Sequence, residues 1–162
     1  MSLLYNYIMP KKQQNNSIIN KRARFDYELK QNIIAGIVLT GAETKSLRLG
    51  HGHLKGAFAN IKDNELWLFN STITPTKTNA NDFSEESQTR ARKLLVSKKE
   101  LDMLQSAKEQ GLTIVPVKLL TNSRYIKIEI AAAKGLKKYD KRHKIKTRDE
   151  SRDTARELKG YK

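Results

Sequence analysis

With 32 Lys and Arg against 17 Asp and Glu in 162 residues, the chain carries a formal net charge of +15. That favours a polyanionic partner, because neutralising phosphates releases counterions and dominates affinity. Its 38% apolar residues can build one core for roughly 110 to 120 residues, leaving tails outside. The absence of cysteine excludes disulfides, thiolate zinc sites and a cysteine nucleophile, and fits a cytoplasmic protein in a reducing compartment. No apolar run approaches about 18 residues and the basic segments lack Trp, Phe and Leu, so no membrane partner is expected.

Residues 1–17 read as a flexible N-terminal arm. The apolar patch Leu3, Leu4, Tyr5, Tyr7 and Ile8 is short, and Asn6 interrupts it. The basic residues follow it rather than precede it, so it is not a signal peptide. Met9-Pro10-Lys11-Lys12 reads as an alternative start. The next stretch, Asn20-Lys21-Arg22-Ala23-Arg24-Phe25-Asp26-Tyr27, sets cations and an amide before two rings spaced by two. On a first strand, Phe25 and Tyr27 would share a face and enter the core. Beside cations, the same rings would suit RNA. Ile33 to Leu39 reads as a second strand, with Gly36 marking a bulge or a close approach.

Thr40-Gly41-Ala42-Glu43 is a capping box for a helix from about Gly41 to Leu49, with Gly50 as its left-handed stop and Lys45 and Arg48 on its outer face. In His51-Gly52-His53 no third ligand is near in sequence, so solvated loop histidines are expected and no metal site. Ala57 to Ile61 and Glu65 to Phe69 flank Asp63-Asn64 as a hairpin that belongs to the core. Ser71 to Gln88 reads as loop and holds the acidic Asp82, Glu85 and Glu86. Positive charge returns at Arg90, Arg92 and Lys93, ahead of a second capping box at Ser97 to Glu100. The helix it opens bears an apolar stripe of Leu101, Met103, Leu104 and Ala107 and stops at Gly111.

Thr113 to Leu120 reads as a strand that Pro116 places at an edge or bulge. Tyr125 to Ala131 alternates, with Ile126, Ile128 and Ile130 pointing inward. The fold expected from these signals is mainly β with short α-helices: a six-stranded antiparallel OB-like barrel over residues 18–133. It ends in a basic C-terminal tail, 134–162, with twelve Lys or Arg and five Asp or Glu, so twelve minus five gives +7 of the chain's +15. As a helix the tail would align Lys144, Arg148, Arg152 and Arg156, while only Ile145, Ala155, Leu158 and Tyr161 could face a core. Such a segment is expected to be disordered alone and to fold against a polyanion, for which RNA leads.

Several ordered motifs resemble the tmRNA-binding proteins of bacterial trans-translation, the SsrA-binding or small protein B family. They are Asn20-Lys21-Arg22-Ala23-Arg24 with Tyr27, Ala35 to Gly41 followed by Lys45-Ser46-Leu47-Arg48, Arg90-Ala91-Arg92-Lys93-Leu94-Leu95, Gly111-Leu112-Thr113, and Lys134-Gly135 with Tyr139-Asp140-Lys141-Arg142. The resemblance runs from Asn20 to about Arg152. It implies an adaptor for stalled ribosomes that delivers alanyl-tmRNA, with elongation factor Tu and GTP, to an empty A site. The body would stand in for the missing anticodon arm, and the tail would become helical in the vacant messenger channel.

Carried over by position, the resemblance assigns Asn20, Lys21, Arg22, Arg24, Lys45, Arg48, Arg90, Arg92, Lys93 and Leu95 to a tmRNA face. It assigns Lys134, Lys137, Lys138, Tyr139, Asp140, Lys141, Arg142, Lys144, Lys146 and Arg148 to a tail on the ribosomal decoding site and channel. Three positions depart from the family pattern: Ile34, where an acidic residue is usual; Leu136, where a lysine is usual; and Ala57-Phe58, where Ser-Tyr is usual.

Two other classes compete with that reading. A general single-strand or ribosomal-RNA binder would show similar affinity for unrelated RNAs. A nuclease would draw on His51, His53 or Asp82 with Glu85, but no carboxylate pair or metal spacing supports one. No catalytic residue, metal or cofactor is therefore expected, and the chain is expected to act as a monomer.

Overall fold

The structure, a computed structural model, describes residues 17–76 and 84–160, leaving aside the side chains at 144, 148 and 155–160. All of the expected N-terminal arm except Ser17 therefore lies outside the described residues. So do Asp82, Tyr161 and the side chains of Lys144, Arg148, Ala155, Arg156 and Leu158.

Six antiparallel strands close into a ring. In chain order these are β2 (Tyr27–Ile37), β4 (Phe58–Lys62), β5 (Glu65–Phe69), β7 (Arg92–Leu95), β8 (Thr113–Leu120) and β9 (Lys127–Gly135). Around the ring the order is β8, β4, β5, β7, β2, β9, and β9 pairs back onto β8. A two-residue strand β1 (Ile18–Ile19) adds to β8, and β3 (Gly52–His53) pairs with β6 (Thr72–Ile73) outside the ring. Five helices accompany the strands among the described residues: α1 (Lys21–Asp26), α2 (Gly41–Arg48), α3 (Glu85–Thr89), α4 (Lys98–Glu109) and α5 (Lys138–Gly160).

The ring closes because alternate residues of every strand turn inward. Ile33, Ala35, Leu66, Leu68, Leu94, Ile114, Ile128 and Ile130 fill the interior, joined by Leu47 from α2 and Leu104 from α4. Each fully buried aliphatic chain stabilises the fold by about 1.5 to 3 kcal/mol. The hairpin β4–β5 turns on Asp63 and Asn64, whose φ values of 51° and 58° match the right-handed twist of the strands they join. Both capping boxes form, at Thr40 with Glu43 and at Ser97 with Glu100, while Gly50 and Gly111 take the expected left-handed stops.

Several elements differ from the sequence reading. Lys21 to Asp26 is helix α1, not the start of a strand. The Asn20 side chain accepts the Ala23 amide as its N-cap, and Phe25 is 43% exposed rather than in the core. The two strands read between Phe25 and Leu39 are one, and β7 is a strand the sequence reading left out. The count of six survives because these two differences cancel. Of the two alternatives read at Pro116, edge or bulge, the bulge holds: the residue is buried within the ring, and the register against β9 shifts between Pro116 and Lys118, as its missing amide favours. The loop after Ser71 contains β6 and α3. Finally, β9 runs past Ala131 to Gly135, because Ala131, Ala132 and Ala133 are small enough to sit buried between β8 and β2.

Candidate nucleic-acid interface

At one end of β2, α1 presents three cations. Its one buried residue is Ala23, at 2% exposure, so Lys21, Arg22 and Arg24 around it face outward. Asn20 does not face outward with them. It is 7% exposed, its amide donates to the Val117 carbonyl (2.9 Å), and its Nδ2 donates to the Pro116 carbonyl (2.9 Å). Asn20 therefore pins α1 to β8, and it acts on any ligand through the placement of its neighbours.

The tail leaves the body beside α1. Tyr27 pairs with Gly135 and Glu28 with Lys134, so the last residues of β9 run along the first of β2. The Leu136 amide donates to the Asp26 carbonyl (2.9 Å), and Lys141 Nζ reaches Asp26 Oδ1 at 2.6 Å while lying 6.0 Å from the Phe25 ring centre. Asp140 Oδ2 accepts the Lys137 amide (3.2 Å), which makes Asp140 a helix-start group rather than a free contact. Lys134, Lys137, Lys138, Tyr139, Arg142 and Lys146 are exposed, Tyr139 at 76%.

The sequence reading expected disorder in the isolated tail, whereas α5 is helical from Lys138 to Gly160. Among its described side chains none is buried, and Ile145 is 45% exposed. Exposed pairs such as Lys146 with Glu150 (3.9 Å) and Arg152 with Asp149 (3.8 Å) contribute little. The junction at Asp26 ties the start of this helix to the body, and a helix whose described side chains pack no buried face is marginal in water.

At the far end of β2, roughly 30 Å along an eleven-residue strand, lies a second cationic group. Lys45 and Arg48 are exposed on α2, and Arg48 donates to the Arg124 carbonyl (3.0 Å). Behind them Glu43 is 2% exposed and does more than cap α2. Arg90 grips it with two nitrogens at 2.9 and 2.6 Å, and Arg92 Nε donates to its Oε1 at 2.9 Å. Burial works to raise the Glu43 carboxyl. The Arg90 and Thr40 hydrogen bonds and the two guanidinium charges outweigh it and hold the group below its ordinary value.

Arg92, which the resemblance assigns to a tmRNA face, is wholly buried, enclosed by the protein's own groups. Its remaining donors are taken by Ser71 O and Oγ and by the Arg90, Ser87 and Gln88 carbonyls. Burial lowers its pKa while Glu43 opposes that shift. Arg92 is a fastener that ties α3 and the start of β7 to α2. Arg90 stays partly exposed, Lys93 forms an ion pair with Glu65, and Leu95 is 54% exposed over Gly36. Leu95 shares its outward face with Ile34 and Val38, 57% and 45% exposed, so apolar surface lies beside the cations.

His51 and His53 are exposed, as is Glu85, and among the described residues no group of three or more His, Cys, Asp or Glu could hold a metal ion. No described helix is long and apolar enough to cross a membrane. The sequence reading also missed the outward side of the hairpin, where Phe58 and Phe69 stack at 5.4 Å. The available signal was the cross-strand pairing of aromatic residues.

A family model described as SmpB protein matches residues 17–160. The chain belongs to the SmpB family. A SsrA-binding protein of Bartonella henselae is 48% identical over 144 residues, covering 88% of this chain and 90% of that one. A SsrA-binding protein of Synechococcus sp. (strain JA-3-3Ab) is 46% identical over 142 residues, covering 87% and 92%. A solved structure described as "tmRNA-SmpB: a journey to the center of the bacterial ribosome" superposes with a TM-score of 0.63 at 41% identity, covering 76% of this chain and 86% of that one.

Proposed function

We propose that this chain binds tmRNA as the adaptor of trans-translation and performs no chemistry of its own. Family membership across residues 17–160 carries the reading, and the charge layout supports it. Lys21, Arg22, Arg24, Lys45, Arg48, Arg90, Lys93 and Leu95 contact tmRNA, while Asn20 and Arg92 hold those groups in place. The body, 18–133, replaces the missing anticodon arm. The tail, 134–162, occupies the vacant messenger channel of a stalled ribosome through Lys134, Lys137, Lys138, Tyr139, Lys141, Arg142, Lys144, Lys146 and Arg148. Alanyl-tmRNA reaches the empty A site with elongation factor Tu and GTP, and the adaptor acts as a monomer.

A surface that must recognise missing messenger suits a cationic helix with no apolar face, because only surrounding RNA makes its order favourable. The test is competition of tmRNA against bulk tRNA at about physiological salt, with the full chain and with a chain ending at Gly135. Both are expected to prefer tmRNA, and only the full chain to support tagging of stalled products. Equal affinity for unrelated RNAs, or loss of tmRNA binding on truncation, would overturn the proposal.

A further inference from the structure

The two cationic groups at the ends of β2 are separated along that strand, yet the outer surface links them by another route. Arg22 of α1 lines a groove of about 510 Å³ together with Asp26, Tyr27, Lys55 and Phe58. That groove opens at the first residue of β4, where Phe58 is 39% exposed and its ring stacks on Phe69 at 19° between planes. Two residues before Phe69 on β5, Trp67 points to the same outward face. Trp67 pairs across the sheet with Asn60 on one side and Lys93 on the other. Lys108 of α4 reaches that surface too, its Nζ donating to Asn60 Oδ1 at 2.6 Å. Phe58, Trp67 and Phe69 belong to neither apolar cluster of the interior. On the outside of the closed ring Phe58 is therefore exposed, while Trp67 and Phe69 are half-buried beside it, flanked by ammonium groups.

We infer that the outer face of the β4–β5 hairpin is a stacking platform for an unpaired RNA segment. The segment runs from Arg22 and Lys55, over Phe58 and Trp67, to Lys93. Each base has a π-face that an exposed ring can accept, and sugar-phosphate between stacked bases needs cations at intervals rather than hydrogen-bond readout. Charge complementarity selects this occupant. Arg22, Lys55, Lys93 and Lys108 are four cations along the strip, against the two carboxylates of Asp26 and Glu65. An aromatic protein partner would have no use for that excess. The platform prefers single strands over duplex, because a paired base offers no free face.

Trp67 is the chain's single tryptophan, so its emission reports directly on the platform. The full chain is titrated with an unstructured oligoadenylate, with anisotropy of a labelled strand following total binding. Saturable quenching of Trp67 that parallels the anisotropy is expected, and duplex RNA should bind without it. Phe58→Ala should weaken the quenching-linked affinity about tenfold, and Phe58→Tyr, which keeps a ring, should restore it. Binding that leaves Trp67 emission unchanged, or a folded Phe58→Ala protein with undiminished affinity, would overturn the inference. A tmRNA competition on the same samples separates this result from the proposed function, since failure of the platform alone leaves tmRNA preference intact.

Discussion

Arg92 and Glu43 meet inside the protein, 49 positions apart in sequence, with Arg92 Nε donating to Glu43 Oε1 at 2.9 Å and neither side chain open to solvent. Removing one partner leaves the other charge buried and uncompensated, which costs about 3 to 5 kcal/mol. Glu43→Ala is expected to lower the free energy of unfolding by that amount in urea titrations, and Arg92→Gln by a similar amount. By contrast, Arg24→Ala or Lys45→Ala should leave stability within about 0.5 kcal/mol and reduce RNA affinity, because those groups are exposed. An Arg92→Gln protein that keeps wild-type stability while losing RNA affinity would return Arg92 to the contacting surface.

The same pair predicts a pH dependence. The folded-state Glu43 carboxyl lies below its ordinary value of 4.5, so the folded form releases that proton more readily than the unfolded one. The stabilisation is therefore complete above about pH 4.5 and fades as pH falls from there through the depressed value. Unfolding midpoints measured from neutral to acid pH should fall in that window. In Glu43→Gln the fall should be shallower, since the titrating group is gone.

Gly52, which separates His51 from His53 at the start of β3, is required there by packing. A Cβ there would lie 2.6 Å from Leu47 Cδ2 and 3.1 Å from Ile18 Cδ1, and Leu47 is fully buried. Gly52→Ala is expected to destabilise the protein by about 1 to 3 kcal/mol through overpacking, read as a shift in urea midpoint. His51→Ala with His53→Ala should be nearly neutral, because both rings are exposed. Divalent zinc should change neither midpoint.

Lys141 and Asp26 form the junction that aims the tail. They are about 30% and 28% exposed, so the pair is worth no more than about 1 kcal/mol and is sensitive to salt. Asp26→Asn should leave the body's midpoint unchanged but speed amide exchange across residues 138–146 several-fold, and salt should do the same in the unaltered protein. Unchanged exchange in both cases would mean that the tail is held by something other than this contact.

Local order was legible without coordinates. The capping boxes at Thr40 and Ser97, the Asp63-Asn64 turn and the inward run of Ile126, Ile128 and Ile130 each depend on neighbours within a few residues, where side-chain chemistry and strand period dictate conformation. Net charge and its concentration after Gly135 are likewise properties of the chain alone, and with the family motifs they pointed to RNA. What only the tertiary structure decided are the fates of residues whose partners lie far away. Arg92 reads as one more surface cation until Glu43 and Ser71 enclose it, and Asn20 as one more polar contact until Pro116 and Val117 take its hydrogen bonds. Phe25 reads as a core ring until Lys21 to Asp26 winds into α1 and leaves it exposed, and Phe58 until it falls on the outer face of β4. Burial is set by which strands become neighbours when the sheet closes, and no local period carries that information.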